Sequence, residues 1–287
     1  MAKNILHTIE KNMISFSKGQ KLIARYILDN YDKAAFMTAS KLGRTVQVSE
    51  STVVRFATQL GYDGYPSMQR ALQEMIRGKL TSIQRIQASD SVLTGTDLVT
   101  NVLHRDMEKI RMAIDQIDGA EFERVVDTIV AAKKLYIVGF RSSSFLAGYL
   151  NFYFRLVFDN VVQVQGGAAG TFDQIFRVGP GDVVIALCFP RYSELAIKTI
   201  SFAKERGATI VGVTDSEMSP VARMAECALL VHNEMLSFVD SLAAPMSMLN
   251  ALILACARKK GTDVSASFSE LEQVWERFAI FGKIEDE

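Results

Sequence analysis

Cysteine is scarce in this sequence. Cys188, Cys227 and Cys256 are the only three in 287 residues, too few and too far apart for a disulfide framework or a zinc site. Histidine is equally thin, with His7, His104 and His232 scattered along the chain. No metal site is therefore expected, and no cofactor is assigned. Only 5 prolines occur, which argues against a long disordered linker. The longest apolar stretch, Leu242 to Ala257, is interrupted by Pro245, Ser247 and Asn250 and is too short to span a bilayer. The opening Met-Ala-Lys-Asn-Ile-Leu-His lacks the apolar run of a signal peptide. These absences lead to the expectation of a soluble, cytoplasmic protein with no membrane partner.

What is present suits a sizeable core: 49% of residues are apolar and 22% charged. The formal net charge of zero hides an asymmetry. Residues 1–78 carry 11 Lys/Arg against 6 Asp/Glu, a net of +5, so the remainder carries −5. Such a split suggests two modules with different partners, the basic one facing a polyanion.

The first part reads as helical throughout. Leu22, Ile23, Tyr26 and Ile27 recur at three- and four-residue spacing, the mark of an amphipathic helix. Further helical patterns cover 32–37, 39–46, 50–60 and 67–77, and Gly61-Tyr62-Asp63-Gly64-Tyr65-Pro66 punctuates the last two. From Gly78 to Gly95 small polar residues predict a linker. A helix follows from about Asp97 to Gln116, with Leu98, Val102, Ile110, Ile114 and Ile117 as its expected buried stripe. His104 on it reads as surface and Met107 as core. Beyond Lys134, apolar β-branched runs at 135–140, 161–164, 183–189, 209–213 and 227–231 alternate with helical stretches. That alternation predicts a doubly wound α/β domain with a five-stranded parallel sheet. The expected division is an all-α domain at 1–78, a linker and start of the connecting helix at 79–105, and the α/β domain at 106–287.

Residues 38–56 carry the first functional argument. Two short helices meet at a tight turn, with Gly43 small enough for close approach and Ser49 placed to cap the second helix. Val53, Ala57 and Leu60 face inward in this reading, while Ser51, Thr52, Arg55 and Gln59 lie opposite. Such a helix fits a major groove and offers its side chains to base edges. Arg55 suits a guanine edge or a phosphate. Lys18, Lys41 and Arg44 are expected backbone contacts that set salt dependence. Alternatively the hairpin is only a dimerisation cap, with Val54 and Phe56 at a protein interface.

The run Val48-Ser49-Glu50-Ser51-Thr52-Val53-Val54-Arg55-Phe56, followed by Leu60-Gly61-Tyr62-Asp63-Gly64-Tyr65, resembles the N-terminal domain of RpiR-family bacterial transcriptional regulators over residues 17–78. The resemblance implies a helix-turn-helix that binds operator DNA. Gln47 departs from it, standing at the turn where such motifs often have glycine; a positive φ there would strain it.

In doubly wound sheets ligands bind beyond the carboxyl ends of the strands, near the switch in strand order. The first strand ends in Gly139-Phe140-Arg141-Ser142-Ser143-Ser144 before a helix, a suitable anion site. The third ends in Cys188-Phe189-Pro190-Arg191-Tyr192-Ser193-Glu194, where a guanidinium and a hydroxyl suit a phosphate. The fourth supplies Thr214-Asp215-Ser216. The region from about 106 onward resembles a sugar isomerase (SIS) domain, which follows the helix-turn-helix in the same family. This implies dimerisation and sugar-phosphate binding. Against the usual Gly-x-Gly-x-Ser loop, Ser143 matches the phosphate-loop serine and Arg141 replaces the second glycine. Against Ser-x-Ser-Gly-x-Thr, Ser193 keeps the last hydroxyl while the first two hydroxyls and the glycine are gone. The loss of hydroxyls and the gain of two arginines suggest a ligand more anionic than a sugar monophosphate, a different pose, or an empty structural module.

The expected effector set is Arg141, Ser142, Ser143, Ser144, Arg191, Ser193 and Thr214. His232, Glu234 and Asp240 are the acid/base candidates, but their sequence pattern forms no recognisable catalytic base motif, so no catalytic residue is assigned and the chain reads as a non-enzyme. Cys188 reads as a buried strand residue rather than a redox sensor. The expected partners are operator DNA, with half-sites on an inverted repeat, a phosphorylated sugar or sugar-acid effector, and further copies in a homodimer or homotetramer. The helix at 97–116 and the linker before it are expected to couple the domains. The rivals are a sugar-phosphate isomerase with a helical appendage and a ligand-free dimerisation scaffold.

Overall fold

Short amphipathic helices with side-chain caps build the N-terminal part of the computed structural model, which describes residues 5–76, 81–89 and 97–281. They are α1 (Ile5–Asn12), α2 (Lys18–Asp29), α3 (Tyr31–Ala34), α4 (Ala39–Thr45), α5 (Glu50–Gln59), α6 (Tyr65–Ile76) and α7 (Ser82–Ser89). Ser17, Thr38 and Ser49 each accept a backbone N–H of the helix they open, satisfying amides that a helix start otherwise leaves unpaired. Ile23, Ile27, Leu42, Val53, Phe56, Met68 and Leu72 are fully buried, and the Phe16 and Phe56 rings pack 5.0 Å apart. Phe56 thus belongs to the core, not to an external interface. Tyr65 donates its hydroxyl to Met37 O at 2.6 Å, and Gln69 and Gln73 donate to Met37 O and Ala35 O at 3.0 and 2.9 Å. In this way α6 satisfies carbonyls left open after α3.

The polar stretch after Gly78 is not wholly a linker, because α7 lies within it. Its start is a capping box: Thr81 Oγ1 accepts the Gln84 N–H at 3.2 Å and Gln84 Oε1 accepts the Thr81 N–H at 2.9 Å. The rest of the expected linker, residues 78–80 and 90–95, lies outside the described residues. The chain divides into two units, Met1–Thr94 and Gly95–Glu287, so α7 goes with the first.

The second unit comprises α8 (Leu98–Gln116), α9 (Gly119–Val130), β1 (Lys134–Val138), α10 (Ser143–Val157), β2 (Val161–Val164), α11 (Ala168–Ile175), β3 (Asp182–Leu187), α12 (Glu194–Glu205), β4 (Thr209–Thr214), α13 (Pro220–Met224), β5 (Cys227–Leu230), β6 (Glu234–Met235), β7 (Asp240–Ser241), α14 (Ala243–Lys260) and α15 (Thr262–Arg277). The main sheet runs β2-β1-β3-β4-β5, all parallel, while β6 and β7 form a separate antiparallel pair. Side chains alternate across it. Leu135, Ile137, Val183, Ile185, Val211 and Val213 meet α9, α10 and α14 on one face. Tyr136, Val138, Val184, Ala186 and Ile210 meet α11, α12 and α13 on the other. Both faces being covered explains the near-continuous apolar strands.

The structure corrects the reading of α8. Leu98, Ile114 and Ile117 are 50, 68 and 43% exposed, and Met107, expected in the core, is 59% exposed. This helix packs mainly along α14, a narrow contact that covers Ile110 and Ala113 but not a full stripe. His104 is exposed, as expected.

Candidate DNA-reading face and effector loops

The turn between α4 and α5 is built by close approach. A Cβ on Gly43 would stand 2.8 Å from Val48 O, and the Val48 N–H donates to Gly43 O at 2.8 Å. Gln47 adopts φ 60°, a left-handed conformation that glycine would take without strain. The first turn of α2 lies against this turn, since a Cβ on Gly19 would meet Val48 and Thr52 side chains at 3.4 and 3.5 Å.

On α5, Val53 and Ala57 are buried and Leu60, just past its end, is half-buried. Ser51, Val54, Arg55, Thr58 and Gln59 are exposed, and Thr52 is half-buried. Lys18, Lys41, Arg44 and Ser49 are exposed as well. The face carries commitments invisible in the sequence. Ser49 Oγ lies 2.9 Å from Ser51 Oγ and 2.8 Å from Thr52 Oγ1. Gln59 Oε1 accepts from Gln20 Nε2 at 2.7 Å. Gln20 stands in the Ser-x-x-Gln capping box of α2, a legible local signal, but its partner across the fold was not.

In the second unit, β1 and β3 are neighbours although β2 intervenes in sequence; here the strand order switches, and ligand crevices of this fold open at such a point. Phe140 from the loop after β1 and Tyr192 from the loop after β3 pack on one apolar cluster, so the loops lie side by side. Arg141 and Arg191, one in each loop, share a left-handed backbone, φ 56° and 61°. Both are exposed, as is Ser142. Ser143 is 6% exposed, and Gly139 lets its carbonyl approach to where a Cβ would stand 2.6 Å away. Ser144 donates to Arg141 O at 2.6 Å, and Ser193 caps α12 through the Ala196 N–H at 3.4 Å.

Thr214 sits deeper. It is fully buried and donates its hydroxyl to Cys188 O at 2.8 Å, tying the ends of β3 and β4 beneath the loops. Asp215 accepts the Tyr192 hydroxyl at 2.8 Å, a bridge between two loops that the sequence did not indicate. Burial pushes the Cys188 thiol up to about 11, against the lowering effect of the Ser193 backbone N–H, so the group stays protonated at neutral pH. His232 is half-buried, and Glu234 and Asp240 lie on the β6–β7 pair. Among the described residues no group of three His, Cys, Asp or Glu side chains could hold a metal, and no helix is long and apolar enough to cross a membrane.

A separate cleft of about 530 Å³ follows the open edge of β5 and is lined by none of these loop residues. Glu121 accepts the Ala228 N–H at 2.8 Å and Arg124 donates to Glu226 O at 2.6 Å. Side chains of α9 thereby occupy the pairing groups of an edge strand.

Residues 3–79 match the helix-turn-helix domain of the rpiR family, and residues 128–255 match the SIS domain. An HTH-type transcriptional regulator of Haemophilus influenzae is 29% identical over 242 residues, covering 82% of each chain. The HTH-type transcriptional regulator HexR of Pseudomonas aeruginosa is 21% identical over 277 residues, 94% of this chain and 95% of that one. In fold, the Vibrio vulnificus NanR protein complexed with ManNAc-6P aligns with a TM-score of 0.59 at 21% identity, covering 98% of this chain and 100% of that one.

Proposed function

The chain belongs to the rpiR family of helix-turn-helix transcriptional regulators that carry a SIS domain, and we propose that it binds an inverted-repeat operator as a homodimer or homotetramer in the cytoplasm, under the control of a phosphorylated sugar or sugar acid. The observation that carries this reading is the pairing of an open α5 face in one unit with two arginine- and serine-bearing loops at the switch point of the other. Lys18, Lys41 and Arg44 supply phosphate contacts, which makes affinity fall with salt. In the SIS unit, Arg141 and Arg191 bring positive charge to one crevice with Ser142, Ser143, Ser144 and Ser193, a donor set suited to phosphate; Thr214 shapes its floor. The shared fold with a protein solved with ManNAc-6P supports a phosphorylated sugar as the first class to test. Self-association is supported by apolar side chains left open on the second unit, Leu103 and Met107 on α8 and Phe145 and Phe152 on α10.

No catalytic step is assigned. The relatives carry regulator names, and ligand binding alone suffices if occupancy favours one of two DNA-affinity states. The test measures operator affinity with and without a panel of phosphorylated sugars and sugar acids. One compound should change it, and Ser143→Ala combined with Ser193→Ala should abolish that response while leaving ligand-free affinity intact. An unchanged response in the double variant would remove the pocket assignment, and turnover of a panel compound would favour an isomerase.

A further inference from the structure

Most polar groups on the outer face of α5 are already engaged. The hydroxyls of Ser49, Ser51 and Thr52 form two mutual hydrogen bonds, 2.9 and 2.8 Å long, and Ser49 Oγ also accepts the Thr52 N–H. Three hydroxyl protons serve two such bonds, so one proton is left for an outside acceptor. At a helix N-terminus that proton suits a phosphate oxygen, because the helix dipole favours the same anion. Thr58 donates its hydroxyl to Val54 O at 3.2 Å, and Gln59 is held by Gln20.

Val54 and Arg55 stand mid-helix on this face, flanked by exposed Glu50 at the helix start and by the Gln59 amide, of which only the oxygen is engaged. Arg55 is exposed, with no hydrogen bond or ion pair to another described residue. Val54 beside it is 39% exposed, an apolar side chain in a polar row. Ser51, Val54, Arg55 and Thr58 fall at i, i+3, i+4 and i+7, a single stripe. In the major groove only thymine presents a methyl group, and guanine presents the paired acceptors that a guanidinium fork fits. Any other base edge under Val54 would lose water without gaining a partner.

We propose that Val54 reads a thymine methyl and Arg55 a guanine edge, so that each operator half-site holds a T·A pair next to, or one step from, a G·C pair. This rests on α5 entering the major groove, as proposed above. The full-length protein is used to enrich binding duplexes from a random library, and thymines in the enriched site are then replaced singly by deoxyuridine, which removes only the methyl. One position per half-site should weaken wild-type binding about fourfold, the equilibrium equivalent of one buried methyl group, and should cost Val54→Ala less than it costs the wild type. Replacing the nearby guanine by 7-deazaguanine should weaken the wild type at least about fivefold and leave Arg55→Ala unaffected.

Indifference to every deoxyuridine overturns the Val54 assignment. Tolerance of 7-deazaguanine, with Arg55→Ala weakening all duplexes alike and lowering the salt slope by about one, places Arg55 on a phosphate and overturns the guanine assignment. Failure to enrich any sequence overturns the DNA-reading role itself, which is a distinguishable result.

Discussion

Replacing Gly43 by alanine puts a methyl group where the α4–α5 turn has no room. The added carbon would stand 2.8 Å from Val48 O and 3.4 Å from both Glu50 N and Ser49 C. All three are backbone atoms, so no change of rotamer relieves the clash. Overpacking of this kind costs about 1–3 kcal/mol, and a small domain loses roughly 4–8 °C of melting temperature per kcal/mol. The N-terminal unit of Gly43→Ala should therefore melt roughly 10 °C lower. Below that temperature the turn opens and α5 shifts against α4, so operator affinity should drop at least tenfold, about 1.4 kcal/mol. Gln47→Gly acts on the same turn with the opposite sign. Relief of a left-handed residue is worth about 1–2 kcal/mol, offset by about 0.5–1 kcal/mol of extra chain freedom in the unfolded state. The variant should melt a few degrees higher. Calorimetry of the full chain and fluorescence anisotropy on a labelled operator read both effects. A Gly43→Ala protein that melts and binds like the wild type, or a Gln47→Gly protein that melts lower, would refute the reasoning.

Arg141→Gly should leave stability unchanged or slightly raised, because the residue is left-handed, and both Arg141→Gly and Arg191→Gly should remove the thermal shift from saturating phosphorylated ligand. That shift is about 2.7 kcal/mol at ~100 times the dissociation constant; a retained shift would show that the arginines do not hold the ligand. Gly139→Ala sets a carbon 2.6 Å from Ser143 O, so denaturant titration should show a destabilised SIS unit and ligand titration no effector response. Burial pushes the Cys188 thiol up to about 11 and Cys256 up to about 12. An unfolded thiol titrates near about 8.5, so above that pH the unfolded chain releases protons the folded chain keeps. Stability is intact below it and falls as pH rises towards 11, by about 1.4 kcal/mol per pH unit for each thiol. Urea unfolding at pH 8 and 10 should show that slope flattened in Cys188→Ala and Cys256→Ala, and an identical slope in the variants would refute it.

Much of the architecture was readable from local pattern. The β2 run at 161–164 matches its strand to the residue, and the other four runs overlap theirs with ends differing by at most two. Ser49 caps α5, and Asp97 caps α8 through the Thr100 N–H. The capping box at Thr81 was equally local, and was hidden by polar composition. The left-handed Gln47 and Arg141 were indicated only by comparison with glycine-bearing motifs, since nothing in a residue's own chemistry marks a positive φ.

By itself the sequence determined what depends on residues within about four positions of one another: helix starts, strand alternation, the turn at Gly43 and the chain's basic front. Tertiary structure decided everything that needs a distant partner. Gln59 is held by a residue 39 positions away and Thr214 by one 26 positions away, and α8 keeps its apolar side chains open because only a narrow line of α14 lies against it. Periodicity states that a face is apolar, but only the neighbouring elements determine whether anything covers it.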